Sequence, residues 1–97
     1  MNMQAMLKQA QALQKDMMKT KEEVDNMEFT GESSFVKVTM KGTKEIIKVD
    51  INAESLDSDD IEALEDMIMV AVNSANSKID ATMEKKMGKF GNIPGLF

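Results

Sequence analysis

Cysteine, histidine, arginine, tyrosine and tryptophan are all missing from this chain of 97 residues. Without cysteine there are no disulfides, no thiolate zinc sites and no cysteine nucleophiles. With histidine, tyrosine and arginine also gone, general acid and base work would fall to carboxylates, lysines and hydroxyls alone. An enzyme is therefore not expected, and neither a small-molecule substrate, a cofactor nor a metal is called for. No stretch approaches the roughly 18 apolar residues that a membrane-spanning helix needs. Lys and Gln interrupt MNMQAMLKQAQALQKD too often for a signal peptide. A cytoplasmic protein with no membrane partner is the expectation.

What is present is charge, methionine and pattern. Charged residues make up 30% and hydrophobic ones 42%, a balance that suits a folded domain, and the length suits a single one. The formal net charge of -5 conceals an uneven distribution. Residues 1–21 carry Lys8, Lys15, Lys19 and Lys21 against Asp16, a balance of +3, and residues 78–97 carry Lys78, Lys85, Lys86 and Lys89 against Asp80 and Glu84, a balance of +2. The stretch between them is therefore at -10. Two basic ends flank an acidic centre, and the field at a surface follows local arrangement more than the total.

From Met3 the apolar positions are Met3, Met6, Ala10, Leu13, Met17, Val24 and Met27, with Thr20 in the same series, in steps of three and four. That spacing, rich in good helix formers, predicts a helix over about residues 2–26. Val36, Val38 and Met40 then alternate with Lys37, Thr39 and Lys41, and Ile47, Val49 and Ile51 alternate with Lys48 and Asp50. Period two marks half-buried strands. The expected strands are about 27–31, 35–41 and 45–51, joined as an antiparallel meander with Gly42-Thr43 as one turn. Ser58 is the expected N-cap of a last helix over about 58–87, with Ile61, Leu64, Ile68, Val72, Ala75, Ile79, Met83 and Met87 on one side. Gly88 is expected to end it, leaving 88–97 as a flexible tail.

The fold class is thus α+β: a long N-terminal helix, a three-stranded antiparallel β-meander and a long C-terminal helix. A first helix of roughly 36 Å outgrows a compact 100-residue domain, whose radius of gyration is about 13 Å. Apolar stripes on both overhanging helices need a partner, and a second copy of the chain is the simplest. A homodimer is expected.

Two clusters invite metal readings and fail them. The acidic run Glu54, Asp57, Asp59, Asp60, Glu62, Glu65 and Asp66 lacks an EF-hand pattern, because counting from Asp57 the glycine and glutamate positions hold Glu62 and Ile68. Negative charge there suits a helix N-terminus instead. The 11 methionines, with no Cys or His beside them, suit packing in helix seams.

The polar side of the first helix is more informative. At 100° per residue, Lys8, Gln11, Lys15 and Lys19 share about 80° of arc opposite Met6, Leu13, Met17 and Val24. Lys78, Lys85 and Lys89 share an arc of the last helix. Such stripes are often no more than solvated faces. As function they would contact the phosphates of duplex DNA, with Gln as an auxiliary donor. Lacking arginine, the chain cannot form the bidentate guanidinium contact to guanine, so weak sequence preference is expected.

With these elements placed, MLKQAQALQKDM, FTGE, FVKVTMKG, SLDSDDIEALEDMI, AVNSA, KKMGK and PGLF follow in an order and spacing that resembles the YbaB/EbfC family of bacterial nucleoid-associated proteins. The resemblance runs the length of the chain. It implies a tweezer-like homodimer joined through its strands, DNA as partner and a place in the nucleoid. It implies Lys8, Lys15, Lys86 and Lys89 as phosphate contacts, with Gln11 beside them. Two departures reduce the expected affinity: Ser77-Lys78 stands where relatives often carry adjacent basic residues, and the glycine-rich stretch before PGLF is brief. The competing expectation is a protein-interaction module that recruits a partner through its acidic surface and touches DNA only incidentally.

Overall fold

A computed structural model describes residues 2–90. The first helix, α1, is Met3–Asp25; strands β1 (Glu28–Ser33), β2 (Val36–Lys41) and β3 (Ile46–Ile51) follow; a 3-10 turn at Ser58–Asp60 leads into the second helix, α2, at Ile61–Met87. The sheet is an antiparallel meander in the order β1-β2-β3. Expected tail residues 91–97 lie outside the described residues, whereas Gly88–Phe90 form a 3-10 turn in which Phe90 is buried. Gly88 keeps right-handed helical angles, so α2 ends without a left-handed glycine.

Capping explains where the helices begin. The Asn2 side chain accepts from the Gln4 amide and starts α1. Ahead of α2 the cap falls one residue earlier than expected: Asp57, not Ser58, accepts from the Asp59 amide, while Asp60 accepts from the Asp57 amide in return. Each of the two carboxylates reaches one backbone donor, and negative charge also suits the positive helix end.

One face of the sheet is covered, and only in part. Phe29, Gly31, Val36, Val38 and Met40 point to α2, whose Ala71, Ala75 and Ile79 are buried over them together with Val24 of α1. Gly31 is required by this approach: a Cβ there would lie 1.9 Å from the Ala71 carbonyl oxygen. Gly42 is required likewise, because a Cβ would lie 1.9 Å from the Val24 carbonyl oxygen, where α1 ends against the β2–β3 turn. That turn is longer than Gly42-Thr43 and includes Lys44 at φ 75.

β3 departs from expectation. The register places Met40 opposite Ile46 and Thr39 opposite Lys48, so Ile47 is the extra residue of a bulge and Ile46 takes the inward position. Ile46, Val49 and Ile51 share the face of Met40, Val38 and Val36, yet each is more than 40% exposed. The cause is placement: α2 lies over β1 and β2 and stops short of β3.

Candidate nucleic-acid interface

Three contacts set the register of α2 on the sheet. Ala71 and Ala75 sit over Gly31; the Lys78 ammonium donates to the Thr30 carbonyl oxygen at 2.6 Å; and Asp80 pairs with Lys44 of the β2–β3 turn at 2.9 Å. α2 therefore crosses β1 with its later residues toward Glu28 and the β2–β3 turn. The last turn of α1 reaches that same end, with Val24 against Gly42. Beyond residue 80, α2 and its terminal turn leave the sheet at the end from which α1 also projects, and the two helices touch. The chain accordingly measures 71 × 19 × 14 Å, with a radius of gyration of 19.6 Å.

This arrangement sets six exposed lysines apart from the acidic start of α2 along the long axis, with Asp16, Glu22, Glu23, Asp25, Asp80 and Glu84 sharing the lysine end. Lys8, Lys15 and Lys19 on α1 and Lys85, Lys86 and Lys89 on the outgoing end of α2 occupy one end, all exposed. Asp57, Asp59, Glu62, Glu65 and Asp66 surround the start of α2 at the other. Among the described residues no three acidic side chains converge as a metal site. Asp57 and Asp60 are occupied in the cap described above.

The expected site residues do not share one environment. Lys8, Gln11, Lys15 and Lys19 are solvated along the polar side of α1, and Gln11, Lys15 and Lys19 border a shallow groove together with Glu22, Asp25 and Met18, the last 67% exposed. Met18 lies next to Gln11 on the polar arc of α1, outside the apolar series, and nothing in the spacing singles it out. Lys85 and Lys86 lie in the last turn of α2, where the helix dipole favours cations irrespective of any ligand. Lys89 stands 5.0 Å over the Phe90 ring. Lys78 differs from all of these: its ammonium is held by an edge-strand carbonyl of β1, away from the projecting ends.

Fold and charge placement together define a small α+β protein with two helices carrying lysine to one end of an elongated body. The chain belongs to the YbaB/EbfC DNA-binding family, whose sequence model matches residues 1–93. Nucleoid-associated proteins of Streptococcus suis (strain 05ZYH33) and Streptococcus pneumoniae (strain Hungary19A-6) are each 43% identical over 97 residues, covering 97% of this chain and 98% of the relative. The crystal structure of an uncharacterized protein from Helicobacter pylori superposes with a TM-score of 0.76 at 18% identity, over 93% of this chain and 97% of that one, and so shares the fold. No helix among the described residues is long and apolar enough to cross a membrane.

Proposed function

We propose that the chain is a nucleoid protein that binds double-stranded DNA as a homodimer, with low sequence specificity, through lysines of its projecting helices. The observation that carries this reading is the seating of α2 on β1, which puts the lysines of α1 and of the α2 terminus at the same end, far from the acidic start of α2. Lys8, Lys15 and Lys19, with Gln11, form the primary phosphate-binding face; Lys85, Lys86 and Lys89 add to it from α2. Lys78 is the member of the set that also bonds the sheet, at the Thr30 carbonyl oxygen. Every cation in the set is an ammonium, a point charge suited to phosphate rather than to reading a base edge.

The exposed face of β3 supports the dimer. An apolar strip of Ile46, Val49 and Ile51, on an edge strand, is what a two-fold partner would cover. Two copies joined there present two lysine ends and can grip a duplex from both. The test is titration of several unrelated duplexes at low salt. Comparable binding to all supports the proposal, and no complex with any of them overturns it.

A further inference from the structure

We infer that Met18, with Gln11 and Gln14 beside it, enters the major groove of bound DNA and meets thymine methyl groups there, an assignment that rests on the DNA-binding reading above. Met18 is a large apolar side chain with no place in the core. It is 67% exposed, whereas Met17 is half-buried and Thr20 and Val24 are buried. At 100° per residue Met18 falls outside the apolar series of α1, on the arc that carries the amides.

Its surroundings are polar and cationic. Gln11, Gln14, Lys15 and Lys19 border the same shallow groove on α1, and all four are exposed. Around the helix axis Gln11, Gln14 and Met18 share about 60° of arc, and Lys8, Lys15 and Lys19 form a row about 90° further round. The acidic neighbours mark where this face stops. Glu22 and Asp25 close its sheetward end, where Lys21 pairs with Asp25 at 2.9 Å. Asp16 and Glu23 lie beyond the lysine row, on the side away from Met18.

The dimensions suit a major groove, which in B-DNA is about 12 Å wide and admits one α-helix of about 10–12 Å diameter. With α1 lying in it, the lysine row faces the phosphates of one wall while the trio, a quarter-turn away, faces the base edges. The apolar group that base pairs display in this groove is the thymine methyl, and the flexible thioether of methionine is suited to pack on it. The glutamine amides match the paired donor and acceptor of adenine. Phosphate contacts place the helix without regard to sequence, so the methyl contact adds a modest preference rather than a defined site. A second copy of the chain is the rival occupant. The lysine row along the trio favours a polyanion over a helix that carries the same lysines.

Duplexes of one sequence made with thymine or with uracil differ only in the base methyl, and so test the contact directly. The native chain should bind the thymine duplex more tightly by about threefold or more. Met18→Ala should bind the two alike, with weakened affinity for the thymine duplex and the salt slope of the native chain, because no phosphate contact is lost. Equal native affinity for the two duplexes, or a Met18→Ala variant that keeps the native ratio, would overturn the inference. So would a Met18→Ala variant with an altered assembly mass, which would place Met18 against another copy. Native binding without discrimination leaves the DNA reading standing, whereas binding to neither duplex removes both.

Discussion

Gly31 of β1 lies directly under Ala71 of α2, so close that a Cβ on the glycine would stand 1.9 Å from the Ala71 carbonyl oxygen and 2.7 Å from the Ala75 amide nitrogen. Both obstructing atoms are backbone, and neither can move without moving the helix. Gly31→Ala should therefore lift α2 off the sheet and lower stability by more than about 2 kcal/mol. Chemical denaturation measures this; a change below about 0.5 kcal/mol would mean that the helix seating is not as described.

Lys78 and Lys15 are the pair that tests the proposed division between structural and binding lysines. The Lys78 ammonium satisfies an edge carbonyl of β1, and Lys15 has no such task. Lys78→Gln should cost about 1 kcal/mol of stability and leave DNA affinity within about twofold. Lys15→Gln should do the reverse, weakening DNA binding severalfold with the thermal midpoint unchanged.

Much of this was legible beforehand, for identifiable reasons. The helices and β2 announce themselves because their buried residues repeat at the period of their backbone: Val36, Val38 and Met40 are all buried. The bulge at Ile47 was not legible, because Ile46 and Ile47 are alike and alternation cannot say which one faces in. Nor was the exposure of β3 legible, since that depends on where α2 lies rather than on β3 itself. At the site, the arc of Lys8, Gln11, Lys15 and Lys19 could be read from spacing alone. The distinct setting of Lys78 could not, because its partner Thr30 is 48 residues away.

Ser34, in the turn between β1 and β2, has φ 53, a left-handed conformation that side chains resist. Ser34→Gly should relieve that strain and stabilise the fold by up to about 1 kcal/mol, a rise of several degrees in the thermal midpoint. A fall in the midpoint would contradict it.

The β3 strip predicts the assembly. Light scattering at micromolar concentration should give about twice the chain mass of 10.8 kDa. Val49→Glu, which puts a charge in the centre of the strip, should return it to the single-chain value. A native chain already at the single-chain mass would remove the dimer from the proposal.

The central claim is that lysines at the helix end hold DNA by neutralising phosphates. Its most direct measurement is the dependence of affinity on salt, for the native chain and for the Lys8→Glu, Lys15→Glu, Lys19→Glu variant. For the native chain the logarithm of the binding constant should fall linearly with the logarithm of salt, with a slope of roughly -4 to -5 if about four to six phosphates are neutralised. The triple variant should lose measurable binding while keeping the native mass and thermal midpoint. A variant that binds with native affinity and an unchanged slope would contradict the account.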